Sequence, residues 1–356
     1  MKKVFIFFVV LLFPVSVFAF SDTAKSTIVM DMDSGRVLYS KNADERRLIA
    51  SITKIMTAVV AIENSNVDDI VTVGEEVLSM YGSNIYVELN EKMSLKDLLY
   101  GLLLRSGNDA AVVIANYVGK KEEFFVDMMN KKAAEIGMKN TLFKNSHGLD
   151  EVTKNYSTAR DMALLSSYAS KLPLYKEISK TKKWIVESEE KTYVWHNRNK
   201  LLYSYKYATG GKTGYTPKAG RTLVTTASKN DLNLTIVTLN DSNEYNTHTS
   251  LYEHFFDKYK NYLIVDKSDF QIDQNFFKDE LYIKESFTYP LLNSEKEKIN
   301  VVVNLDKVKN YSNNNVVGKV VVSFKNKKIF ETNIYVKTKK NHKESKFIKF
   351  IKKLLI

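Results

Sequence analysis

Ser51 and Lys54 stand three residues apart at the start of an apolar run that continues to Ile62 without glycine or proline. On a helix this spacing puts a hydroxyl and an amine on one face, within reach of each other. Burial disfavours an ammonium ion, so such a lysine becomes a base able to take the serine proton. The chemistry open to the pair is nucleophilic acyl transfer. The S-x-x-K pattern is permissive, however, and recurs at Ser179–Lys182 and Ser188–Lys191 among charged residues, where a solvated surface explains it. Taken alone, the pair reads better as a Ser51 helix cap with Lys54 in water, since serine is a preferred cap.

Two further pieces add to it. Ser106-Gly107-Asn108 interrupts two apolar helical stretches, a place where polar side chains need a reason to be. Other S-x-N triplets begin at Ser40, Ser228 and Ser312, so the setting matters more than the pattern. Lys212-Thr213-Gly214 occurs once, inside a glycine-rich strand, and Gly214 would let a bound backbone approach closely. The chain has no cysteine, which leaves oxygen nucleophiles. His147 and His196 invite a Ser–His pairing, but His196 lies in the polar turn Trp195-His196-Asn197-Arg198 and both are assigned structural roles. No His-x-x-x-His or carboxylate cluster points to a metal, and no cofactor is expected.

The elements that must position these groups follow from periodicity. A hairpin is expected from Ile28-Val29-Met30 through Asp33-Ser34-Gly35 to Val37-Leu38-Tyr39. Helices are expected from Ser51, after the capping pattern Ser94–Asp97, over 110–118, over 122–136 and over 158–170. Strand patterns follow at 184–186, 192–195, 222–227 and 232–239, and a helix at 249–262. Strands on both sides of a helical block give an α+β domain, an antiparallel sheet with a helical cluster. Beyond Val265 only strand-like runs follow, with a turn at Lys325-Asn326-Lys327 and a linker near 262–268. The expected organisation is 1–19 as a signal peptide, 20–264 as the catalytic domain, 265–338 as a small β domain and 339–356 as a basic amphipathic helix.

The ends carry the address. Met1-Lys2-Lys3, an apolar run to Phe13 and Val17-Phe18-Ala19 read as a secretory signal cut after Ala19, with an uncleaved anchor as the alternative. The formal charge of +12 is concentrated in the last twenty residues, where eight lysines face one glutamate. The remainder is nearly neutral, which together with export excludes a nucleic-acid binder. Phe347, Phe350, Ile351, Leu354 and Leu355 share one helical stripe among those lysines. At 1.5 Å per residue the segment is shorter than the roughly 30 Å of a bilayer core, so it should lie in the membrane interface.

The segments 50–58, 104–110, 145–150, 156–163 and 212–216 resemble the D-alanyl-D-alanine carboxypeptidases, the low-molecular-mass penicillin-binding proteins. That resemblance implies a serine β-lactamase/DD-peptidase-like domain, a small all-β domain and a C-terminal amphipathic helix. It also implies roles. Ser51 would attack the carbonyl of the penultimate D-Ala, Lys54 would take its proton, Ser106 would relay a proton to the leaving amine, and Asn108 would hold Lys54 and the substrate amide. Lys212, Thr213 and Gly214 would bind substrate, and the N–H groups of Ser51 and Tyr215 would form the oxyanion hole. Peptidoglycan stem peptides and β-lactams are the implied partners, at the outer face of a bacterial cytoplasmic membrane.

Two rivals remain. Glu151-Val152-Thr153-Lys154-Asn155 matches the E-x-x-x-N pattern of class A β-lactamases, although its position within 147–162 makes it a coincidence. A non-catalytic peptidoglycan binder would keep the fold but need not keep every motif residue. Many relatives carry an arginine before the last helix of the catalytic domain, where this chain has Asn243-Glu244-Tyr245-Asn246.

Overall fold

The computed structural model describes residues 20, 22–188, 191–306 and 308–338. The signal segment and the basic amphipathic tail read from the sequence lie outside the described residues. Ser26–Asp31 and Val37–Lys41 form the expected hairpin, with Gly35 at φ +70° and Asp31 accepting from the Ser34 amide at 2.8 Å. They belong to a five-stranded antiparallel sheet in the order Val37–Lys41, Ser26–Asp31, Leu232–Leu239, Gly220–Lys229, Ala208–Thr216. Alternate side chains feed two apolar layers. Ile28, Met30 and Val237 meet the helical block that contains Ile55 and Met162, whereas Val29, Leu234 and Ile236 meet Leu251, Tyr252 and Phe255 of the helix Glu244–Lys258.

The nucleophile segment begins differently from expectation. Ala50–Thr53 is a 3₁₀ turn, and the α-helix proper runs from Lys54 to Asn64. Every residue from Lys54 to Ala61 is buried, as befits a helix that is apolar all round. Ser51 sits inside the 3₁₀ turn and its hydroxyl caps neither element. The reading of Ser51 as a cap and Lys54 as solvated is thereby excluded.

Ser94 caps the helix Leu95–Tyr100, accepting from the Asp97 amide at 3.0 Å. A wider π-type turn, Gly101–Arg105, then carries the chain to Ser106, whose φ of +66° ends it. The next helix is Asn108–Gly119. Glu122–Ile136 stops at Gly137 as expected, and the helix expected over 158–170 is Ala159–Ala169, with Thr158 outside it as its cap. A helix at Pro173–Lys180 was not expected.

The last helix of this unit needs correcting. It runs over Glu244–Lys258, and Lys260–Val265 is a strand paired with Phe287–Leu291. The expected boundary at 264/265 falls within this strand, so the segment read as a linker begins inside a sheet. A further antiparallel sheet has the order Glu280–Ile283, Lys327–Lys337, Val316–Phe324, Ile299–Leu305. Its hairpin turn puts Lys325 and Asn326 at φ +49° and +64°, the left-handed pair that matches strand twist. Arg36, on the first hairpin, reaches into this C-terminal part. Its guanidinium lies 4.6 Å from the centre of the Phe324 ring, 5.0 Å from that of Tyr289, and 2.8 Å from Glu295. Among the described residues no helix is long and apolar enough to cross a membrane.

Candidate active site

The Lys54 amine is wholly buried and has three oxygen neighbours. They are the Ser51 hydroxyl at 3.1 Å, Asn108 Oδ1 at 2.7 Å and the His147 carbonyl at 2.5 Å. Burial, then the Lys212 charge, pulls its pKa well below the usual lysine value, against the opposing pull of Asp109. A neutral amine has two N–H groups and one lone pair. With Asn108 and His147 as acceptors for the two N–H groups, the lone pair is left for the Ser51 proton.

The His147 carbonyl owes its direction to a local turn. Asn145 Oδ1 accepts from the His147 and Gly148 amides at 3.2 and 2.6 Å, and Gly148 adopts φ +91°. A side chain at 148 would collide with the Ala50 carbonyl. The His147 imidazole faces away from Ser51 chemistry, accepting from the Leu149 amide at 3.1 Å. Sequence reasoning missed the carbonyl because a backbone group leaves no signature in residue type.

Ser106 comes to the same place from the helix break. Lys212 donates to its hydroxyl at 2.9 Å and to the Thr213 carbonyl at 2.8 Å. Lys212 is also buried, and burial followed by the nearby Arg198 charge lowers its pKa to about 7. Thr213 and Tyr215 lie on the edge strand of the sheet, with Tyr215 exposed. Gly214, between them, packs directly on the backbone nitrogens of Ser51 and Ile52. The eight residues expected at the site are therefore assembled from three chain segments, and the 145–148 turn adds the His147 carbonyl.

They open on a cleft of about 780 Å³ that Ser51, Ser106, Thr213, Gly214 and Tyr215 help to line. Two arginines overlooked in the sequence stand there as well. Arg198, from the turn once noted only for His196, donates to Ser83 Oγ at 2.6 Å. Arg221, the register partner of Tyr215, pairs with Glu244 at 3.3 Å. The Asn243–Asn246 segment, singled out for lacking an arginine, forms part of the same wall. Glu151 is absent from the residues lining this cleft; it is exposed and bonded to the Tyr81 hydroxyl at 2.8 Å. Asn155, its partner in the E-x-x-x-N reading, is buried and bonded to Thr53 and Asn145. Among the described residues no group of His, Asp or Glu could hold a metal ion.

A helical block on an antiparallel sheet, with a Ser–Lys pair beside the sheet edge, defines the DD-peptidase fold class. Within that class the chain belongs to the D-alanyl-D-alanine carboxypeptidase family, which matches residues 15–243. Residues 260–342 match the C-terminal domain of penicillin-binding protein 5. The carboxypeptidase DacF of Bacillus subtilis (strain 168) is 40% identical over 218 residues, 59% of this chain and 55% of that protein. DacC of Escherichia coli (strain K12) is 38% identical over 229 residues, 61% of this chain and 56% of that protein. The chain thus spans about half the length of the curated relatives it matches. Among solved structures, penicillin-binding protein 5 from Haemophilus influenzae superposes with a TM-score of 0.74 at 28% identity, covering 91% of this chain and 99% of that one.

Proposed function

We propose that this protein is a penicillin-sensitive serine D-Ala-D-Ala carboxypeptidase that removes the terminal D-alanine from peptidoglycan stem pentapeptides. The observation that carries the reading is the buried Lys54 amine, 3.1 Å from Ser51 Oγ with its N–H groups directed at Asn108 and His147. In this reading Ser51 Oγ attacks the carbonyl of the penultimate D-Ala while its proton passes to Lys54. The amides of Ser51 and Tyr215 receive the oxyanion, each such donor contributing about 10²–10³-fold. Ser106, hydrogen-bonded to Lys212, passes a proton to the departing D-Ala amine. Water then resolves the Ser51 ester.

The family membership and the relatives named carboxypeptidases support this substrate class. The exposed position of Glu151, bonded to Tyr81, disfavours the β-lactamase alternative, which needs a carboxylate beside the ester. We further infer an exported enzyme with 1–19 as leader, 20–264 catalytic and 265–338 β-rich. In that scheme 339–356 lies in the outer interface of the cytoplasmic membrane, where such peptides are found.

The deciding experiment is mass spectrometry of stem pentapeptides incubated with wild type and Ser51→Ala. Loss of one D-alanine with the wild type alone is expected. Intact peptide together with rapid cephalosporin turnover would favour the β-lactamase reading, and inertness toward both would favour a binder.

A further inference from the structure

The segment 80–87 has no regular secondary structure, yet several of its backbone groups are bonded to the first residues of the helix Asn108–Gly119. The Ser83 and Tyr81 carbonyls accept from the amide and side chain of Asn108 at 2.7 and 2.6 Å. In return, the Asp109 carboxylate accepts from the Ile85 amide at 3.0 Å and the Tyr86 amide at 2.7 Å. Asn84 Oδ1 closes the zipper, accepting from the Asp109 amide at 3.3 Å. Tyr86 is held at φ +63°, a conformation costly for a residue with a side chain. Such strain persists only where surrounding bonds over-determine it, and Asp109 supplies one at that very amide.

Asp109 is itself buried and is not among the residues lining the cleft. The Asn108 amide group, by contrast, has one end on Tyr81 and the other on Lys54. The segment that fixes the first end therefore aims the second. We propose that Asp109 is a positioning residue: its carboxylate pins the 80–87 segment, which orients Asn108 and thereby holds the Lys54 amine at Ser51. The same clamp sets Ser83, the partner of Arg198 in the cleft wall. This inference rests on the reading of Ser51 as an acylated nucleophile.

The test follows the acylation rate of Ser51 by a fluorescent penicillin in the full chain, with the affinity of the first, noncovalent complex and thermal melting measured in parallel. For Asp109→Asn, whose amide N–H₂ would face backbone donors, acylation should slow about 10²-fold, the scale of a roughly 1 Å misplacement. The loss should fall on the acylation step and leave initial affinity nearly unchanged. Adding Tyr86→Gly should recover part of it, because glycine adopts the left-handed conformation unaided. Gly82→Val perturbs the segment from its exposed side, where a side chain would crowd Asn108 Nδ2 at 3.3 Å. It should slow acylation, with a modest fall in melting temperature because residue 82 stands at φ +79°, and it serves should Asp109→Asn not fold. Wild-type acylation rates in folded Asp109→Asn, or in folded Gly82→Val, overturn the proposal. Absence of labelling in the wild type overturns instead the functional reading on which it rests.

Discussion

Gly214 packs against the backbone of the nucleophile: a side-chain carbon there would lie 2.9 Å from the Ser51 nitrogen and 3.0 Å from that of Ile52. The edge strand and the 3₁₀ turn can approach this closely only because residue 214 has no side chain. Gly214→Ala should wedge the two apart and separate the paired amides of the proposed oxyanion hole. Penicillin acylation should fall by about 10²-fold, the scale for one lost donor. An unchanged rate in the folded variant would refute the assignment of those amides.

The pH profile of kcat/KM should be bell-shaped, with the two lysines on opposite limbs. Lys54 acts as a base only when neutral, so the rate rises with pH through its lowered pKa. In the proposed mechanism Lys212 attracts the substrate carboxylate only when charged, and burial brings its pKa down to about 7, so affinity should decline as pH rises past that value. In Lys212→Arg the charge persists at every accessible pH. Its alkaline limb should move upward, seen as a KM that no longer rises between pH 7 and pH 9.

Acid should destabilise the fold through a histidine remote from the chemistry. His248 is buried between Thr225 and Thr238 at 2.7 and 3.0 Å, and burial lowers its pKa from 6.5 to about 3. Below pH 6.5 the unfolded chain takes up a proton that the folded chain refuses. Stability is thus full above that pH and falls on acidification toward about pH 3, by about 1.4 kcal/mol per pH unit for this one group. Urea titrations at several pH values should show a shallower acid loss for His248→Gln. Equal slopes would remove His248 from the account.

Arg36→Ala should loosen the C-terminal sheet from the catalytic unit. The change empties the ring-lined site of Tyr259, Tyr289 and Phe324 and leaves buried Glu295 with Lys325, 3.2 Å away, as its cation. With Lys325 still in place the cost should stay below about 3 kcal/mol, that of a buried charge left wholly unpaired. Calorimetry should resolve an earlier transition for the C-terminal part, with penicillin acylation at Ser51 unaffected. A single unshifted transition would mean the latch contributes little.

Much of the fold was legible because it is local. The hairpin at Asp33-Ser34-Gly35, the Ser94 cap and the Gly137 stop each depend on a few neighbouring residues. The last helix was misplaced because apolar residues from Leu251 to Tyr262 fit a continued helix as well as a helix followed by a strand. Only pairing with Phe287–Leu291 selects the strand, and that partner is remote in sequence.

For the site, the sequence by itself determined which side chains could act: Ser51, Lys54, Ser106, Asn108 and Lys212, recognisable by type, spacing and apolar setting. Tertiary structure alone decided their chemical state and company. Whether Lys54 is solvated or stripped of water depends on what surrounds its helix, and its acceptors come from 54 and 93 residues away. The His147 carbonyl, the Arg198 and Arg221 walls and the Asp109 clamp were invisible for the same reason. Their roles depend on desolvation and on contacts between distant segments, and these exist only once the chain has closed around the nucleophile.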